Sequence, residues 1–234
     1  MAETMASVKA QAYTDYQVLC IQPRTKEAVS DALNRTLQEA SGEYVLLLRA
    51  GDTLFNVETL QVAARFLTCD DVYIGQAREY VSNGKGYTIN PPFEYLSISY
   101  MCRYLPLPCS MFIRTELLRR QPLDGRYPCL MVWECVMRQW LNHTSVVRPL
   151  YLTIATANEP SEELKQRILD EFCITCDSLL PQWIQILNEK PEQKTMNRYQ
   201  RDVIAAAMRK PMSRDWKIIR LSFFQLIREL FGKA

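Results

Sequence analysis

Three features of the sequence predict an α/β fold: a mostly parallel sheet flanked by helices, with a C-terminal helical appendage. The first is the continuous apolar run Tyr44-Val-Leu-Leu-Leu48, with Gly42 before it and Gly51 after it. Such a run, closed by turn residues on both sides, is the pattern of a strand buried on both faces. The second is the alternation of short strand-like and longer helix-like segments through residues 1–157, which implies parallel pairing through helical crossovers. The third is a change of character near Glu159. Beyond it only helical patterns follow, so the chain divides into an α/β domain, 1–157, and a helical region, 158–234.

Taken in order, Tyr16 to Ile21 reads as a strand, Thr25 to Ala40 as a helix and Tyr44 to Leu48 as the buried strand. Val57 to Leu67 is helical and Val72 to Gly75 a short strand. Ser82-Asn-Gly-Lys-Gly86 is a strong hairpin turn within Tyr80 to Pro92, because Asn-Gly adopts the positive φ values that two-residue turns require. Glu94 to Tyr104 and Met111 to Arg120 read as helices, and Pro122 to Pro128 as a turn-rich link. Leu130 to Asn142 is a helix and Ser145 to Thr153 a closing strand. Pro160-Ser161 followed by Glu162-Glu163 is a helix start, and Glu163 to Asn188 reads as one helix with a break at Pro181. Lys194 to Arg209 and Arg214 to Phe231 are two more helices. The last is amphipathic, with Lys217, Arg220 and Arg228 among its apolar residues. Two uses fit it: packing on the domain or on a second copy of the chain, or lying on an anionic membrane.

Composition narrows the function classes. With 28 Lys and Arg against 26 Asp and Glu, the net charge of +2 points to no nucleic-acid partner. No apolar run reaches the ~18 residues of a membrane span, and Met1 to Gln11 has no apolar core of a signal peptide. A cytoplasmic location is the expectation, with peripheral contact at the inner face of the membrane if the last helix binds lipid. The eight cysteines then read as buried free thiols rather than disulfides. Cys173 and Cys176 form a CxxC inside a helical pattern, with no second pair at zinc spacing. His143 is the single histidine.

Asp52 is the candidate with chemistry in it. In an open α/β sheet, ligands sit beyond the carboxyl ends of the strands. A carboxylate placed there suits a hard cation that carries a phosphate. The alternative is that Asp52 caps the turn into the segment Val57 to Phe66.

The stretch from Asn34 to Leu54, NRTLQEASGEYVLLLRAGDTL, resembles the middle of the family 2 glycosyltransferases, enzymes of GT-A (Rossmann-like) fold that take sugars from nucleotide sugars. Four further pieces, in the family's order, are similar. Ser7 to Ile21 matches the link from the first helix to the second strand, and Asp71 to Gly75 the strand after the metal motif. Pro108 to Leu117 matches an acceptor-side segment, and Trp133, Glu134 and Arg138 part of the helix that bears the catalytic base. The resemblance implies that Arg49, Gly51 and Asp52 bind the nucleotide sugar and that Asp52 holds Mg²⁺ or Mn²⁺. It implies a UDP-sugar as donor and a saccharide or lipid-linked acceptor, in surface polysaccharide synthesis.

The departures from the family are as specific as the matches. The family's first strand has no counterpart after Met1, and Gln22-Pro23 stands where an Asp is expected. Only Asp52 remains of the acidic motif, with Arg49 in place of an acid or Asn. Val132 stands at the base position, which leaves Glu134 as the nearest candidate base. Two residues on a helix turn a side chain by about 200°, so Glu134 has a competing use, a pair with Arg138 one turn on. Two functions therefore stand: a family 2-like glycosyltransferase, or a glycosyltransferase-like binding or assembly protein without catalysis.

Overall fold

A computed structural model describes residues 1–80, 86–89, 101, 105–142, 144–158 and 160–189. Among them, helix α1 is Ala2–Lys9 and α2 is Val29–Leu37. Strand β1 is Tyr44–Leu46, β2 Thr53–Leu54, and α3 Thr59–Ala64. Strands β3 (Val72–Tyr80) and β4 (Gly86–Ile89) form a hairpin in which Tyr80 pairs with Gly86. A 3-10 turn, Pro108–Ser110, leads into β5, Met111–Arg114. Then come α4 (Thr115–Arg120), α5 (Met131–Leu141), β6 (Val147–Asn158) and α6 (Glu162–Glu189).

The six strands form one sheet in the order β1-β5-β3-β6-β2, with β4 paired to β3. It is a mixed sheet and not the mostly parallel one expected. Only β3 and β6 pair in parallel; β1–β5, β5–β3, β3–β4 and β6–β2 are antiparallel. The correction has one main source. Met111-Phe-Ile-Arg114 reads as the start of a helix, yet it forms β5 between β1 and β3. A short apolar run has no periodicity to separate strand from helix. Its burial settles the matter: Met111 and Ile113 enter the core on one face of the sheet, Phe112 the core on the other.

Tyr16 to Ile21, expected as a strand, has no regular structure and pairs with nothing in the sheet. Tyr16, Val18 and Ile21 are exposed, and Cys20 is exposed rather than buried, as is Cys69. The stretch is tied through polar side chains instead. Gln17 accepts from the Ser41 main-chain N–H at 2.9 Å, and Tyr16 donates to the Val8 carbonyl at 3.1 Å.

Two apolar layers lie on the faces of the sheet. On one, Leu33 and Leu37 of α2, Leu117 and Leu118 of α4, and Trp133, Val136 and Met137 of α5 cover Val72, Ile74, Met111 and Ile113. On the other, Val8 and Ala63 pack with Tyr73, Phe112, Leu150 and Ile154. Gly75 sits where the register of β3 and β6 shifts. A Cβ there would fall 2.8 Å from the Leu152 carbonyl and 2.6 Å from Ile154 Cγ1, so only glycine lets the strands approach.

Helix α6 is continuous through Pro181, and its first half belongs to the main core through Phe172 and Leu179. The Phe172 ring meets Trp133 edge-on at 5.5 Å. The Glu171 carboxylate accepts from the main-chain N–H groups of Cys129 and Leu130 at 2.7 and 3.1 Å, satisfying donors that the start of α5 leaves free. No described helix is long and apolar enough to cross a membrane. The expected helices Glu94 to Tyr104, Lys194 to Arg209 and Arg214 to Phe231, and His143, lie outside the described residues, save Met101.

Candidate functional site

Strands β1, β3 and β6 run in the same direction, since β5 is antiparallel to both β1 and β3 and β3 is parallel to β6. Their carboxyl ends share one edge of the sheet, the edge at which ligands collect in open α/β folds. Asp52 stands there, in the turn between β1 and β2. The turn is Arg49-Ala-Gly-Asp52, closed by the Asp52 N–H donating to the Arg49 carbonyl at 3.0 Å. Gly51 has φ +101°, which the third position of such a turn takes without cost only as glycine. A Cβ on Gly51 would lie 2.7 Å from Asn158 Nδ2, which puts the end of β6 against the turn.

The Asp52 side chain is 4% exposed. Its Oδ2 accepts from the Arg49 main-chain N–H at 2.9 Å and from Arg49 Nε at 3.4 Å. The carboxylate thus closes the turn that precedes it, rather than capping the segment that follows. Arg49 itself keeps 46% of its side chain exposed. Beneath them lies Cys109, whose thiol is pushed up to about 12, first by burial and then by the Asp52 charge beside it.

Helix α1 grips this turn from outside. Thr4 Oγ1 accepts from the Gly51 N–H at 2.9 Å and donates to the Arg49 carbonyl at 3.4 Å. One turn on, Ser7 Oγ accepts from the Leu54 N–H at 3.2 Å. Gln11 donates to the Asn56 carbonyl at 2.7 Å and accepts from the Leu60 N–H at 3.1 Å.

Glu134 lies on α5, buried, at 4% exposure. Both of its carboxylate oxygens meet Arg138, Oε1 at 2.8 Å from Nε and Oε2 at 3.4 Å from Nη2. Arg138 also donates to Gln121 Oε1 at 2.8 Å. The structure therefore brings Arg49, Gly51 and Asp52 together and gives Glu134 a full set of partners one turn along its own helix. Val132 is buried in the main core.

Asn158 and Cys109 escaped the sequence reading, as did the buried Glu79 near the end of β3. Each reaches this edge through strand pairing over long sequence distances, which no local pattern encodes. A cavity of about 540 Å³ lies at the opposite end of the sheet, lined by Asp71, Arg114, Glu116, Arg120 and Gln139 among others. Its charges are matched internally, Arg114 with Glu43 at 3.0 Å and Arg120 with Glu116 at 2.9 Å.

The fold has known counterparts. The chain superposes on S. aureus TarS residues 1–349 with a TM-score of 0.57 at 18% identity, covering 96% of this chain and 70% of that one. The complexes of the same fragment with UDP and with UDP-GlcNAc give TM-scores of 0.54 and 0.56 at 17% identity. The chain thus shares its fold with the TarS fragment. Against the longer TarS structure the chain covers 40% of that protein. No family model matches the sequence, and no curated protein matches it.

Proposed function

We propose that the chain binds a nucleotide sugar, a UDP-sugar, at the carboxyl ends of β1, β3 and β6, and passes the sugar to a saccharide or lipid-linked acceptor in the manner of family 2 glycosyltransferases. Assembly of surface polysaccharide is the matching role. One observation carries the reading: Asp52, in the Arg49–Asp52 turn, stands at the shared carboxyl edge of a sheet whose fold matches TarS. That the TarS fragment was solved with UDP and UDP-GlcNAc supports the choice of donor.

The Asp52 carboxylate is a hard-oxygen donor of the kind Mg²⁺ or Mn²⁺ takes, with its Oδ2 already accepting from Arg49. Among the described residues no cluster of three acidic, Cys or His side chains gathers, so Asp52 would be the chain's anchor, with the diphosphate supplying other oxygens. Held there by Asp52, such a cation would supply Lewis-acid neutralisation of the nucleoside diphosphate leaving group. The Arg49 guanidinium, half exposed, adds a fixed positive charge at the same turn.

A second reading is favoured by Glu134. Its two oxygens are taken up by Arg138, and a group so paired is a poor proton acceptor for a sugar hydroxyl. A binding or assembly protein that keeps the donor site without catalysis accounts for that pairing.

Ligand-observed NMR with UDP and Mg²⁺ tests the binding step. The expected result is saturable binding with Kd on the order of 0.1 mM, roughly 5.5 kcal/mol, lost in Asp52→Asn. Absence of saturation at several-fold higher UDP, or binding untouched by Asp52→Asn, would sink the proposal. Release of UDP from a UDP-sugar in the presence of an acceptor extract separates the enzyme from the binding protein.

A further inference from the structure

We infer that Thr4 is a positioning residue for the donor site: its hydroxyl cross-links the Arg49–Asp52 turn and thereby fixes where the Asp52 carboxylate and the Arg49 guanidinium stand. This rests on the reading of that turn as the nucleotide-sugar site.

The inference starts from the spacing of polar side chains on α1. Thr4, Ser7 and Gln11 follow one another at three and four residues, one stripe of a helical face. Each is buried or half-buried, and each bonds the main chain of the same segment, residues 49–60. A further main-chain bond, from the Ala12 N–H to the Val57 carbonyl at 2.7 Å, ends the seam. The helix therefore meets the loop as a row of hydrogen bonds as well as through the apolar contact of Val8.

Within the row, Thr4 alone touches the turn itself. Its oxygen lies between the Arg49 carbonyl and the Gly51 N–H, so it spans the two peptide groups that flank Ala50. Those two peptides set the turn. The Arg49 carbonyl is the acceptor that closes it, from the Asp52 N–H, and Gly51 is the residue held at φ +101°. A peptide flip at Ala50-Gly51 is the low-energy escape of a glycine turn, and it would move the Gly51 N–H away from Thr4. Holding that N–H opposes the flip. Asp52 is the next residue, and its carboxylate is locked to the Arg49 N–H on the other side of the turn, so both functional side chains inherit the orientation that Thr4 fixes. Ser7 and Gln11 bond positions 54, 56 and 60, in β2 and after it, and hold the loop without touching the turn.

The test compares three variants of the full chain: Thr4→Val, which keeps shape and removes the hydroxyl; Thr4→Ser, which restores it; and Gln11→Leu, which removes two hydrogen bonds from the far end of the same seam. Two readouts are taken, amide hydrogen exchange at Gly51 and UDP affinity by NMR with Mg²⁺. In Thr4→Val, Gly51 exchange rises at least about tenfold and UDP affinity falls about tenfold, which is ~1.4 kcal/mol. Thr4→Ser returns both to within about twofold of wild type. Gln11→Leu lowers the unfolding midpoint as Thr4→Val does, yet leaves both Gly51 exchange and UDP affinity within about twofold. If Thr4→Val and Gln11→Leu change affinity and exchange alike, the seam is only a scaffold and the inference is overturned. Unchanged Gly51 exchange in Thr4→Val overturns it too. If wild type binds no UDP while Gly51 exchange responds as stated, the cross-link stands and the donor-site reading fails, so the two failures are told apart.

Discussion

Replacing Glu134 with Gln separates a structural carboxylate from a catalytic one. The side chain is 5% exposed, and the Arg138 side chain opposite it is 27% exposed. The glutamine keeps the shape and one acceptor oxygen but removes the negative charge. Arg138 then holds a cation against the core with Gln121 as its remaining acceptor. Removing one partner of a fully buried pair costs about 3–5 kcal/mol. Arg138 reaches water along one side, so about 2–3 kcal/mol is the appropriate figure. For a domain of this size that lowers Tm by roughly 2–4 °C per kcal/mol, some ~4–12 °C in all. Urea denaturation of Glu134→Gln, Arg138→Met and the double variant forms a cycle. Removing both charges is expected to cost less than the sum of the single changes by about 1.5 kcal/mol or more. Additive costs would refute the pairing argument. So would a Glu134→Gln protein of unchanged Tm that has lost all transfer activity, which would return Glu134 to the role of base.

Gly51→Ala forces a Cβ into the positive-φ turn and towards the mobile end of Asn158. It should cost about 1–2 kcal/mol in a thermal melt, with UDP affinity falling further than stability does. Phe172→Ala removes the ring that meets Trp133 and should cost about 3–5 kcal/mol; a smaller loss would mean that α6 docks loosely. In base, burial raises the Cys109 thiol to about 12 and the Cys135 thiol to about 11 from an ordinary 9.0. The folded protein therefore holds these protons more tightly than the unfolded chain does. Their stabilisation is whole below pH 9 and fades between 9 and 12, so urea midpoints should fall across that range, less steeply in Cys135→Ala. At pH 8, thiol labelling with peptide mapping should modify Cys20 and Cys69, which are exposed, well before Cys109 and Cys135, which are buried.

The legible parts of the fold were those with local signals. The apolar run Tyr44 to Leu48 announced a strand, though β1 keeps only Tyr44–Leu46 and lies half-buried at the end of the sheet rather than buried on both faces. The Asn-Gly pair in the sequence announced the β3–β4 hairpin. Leu130 to Asn142 showed α5 by its period. What the sequence hid was pairing. Thr53–Leu54 is too short to read, and becomes β2 only because β6 lies beside it. Val72 to Gly75 looked like a short strand because Gln76, Arg78 and Glu79 are polar, yet β6 carries the strand on to Tyr80. Tyr16 to Ile21 has every strand propensity and no neighbour, and propensity without a neighbour makes no strand. The site followed the same rule. Asp52 and Arg49 stood together in sequence and were found together, whereas Asn158 and Cys109 arrived through the sheet, and Thr4 through the side of a helix.

The place of β6 bears on how the molecule is made. Val72 in β3 waits for Val147, and Thr53 in β2 waits for Thr156. The middle of the sheet is thus the last of it to leave the ribosome. Until then both earlier strands carry bare edges, the condition in which nascent chains stick to one another. Contacts so distant along the chain close slowly. The sheet can close only once translation has passed Asn158, and the core beneath it only once Phe172 and Leu179 of α6 have followed.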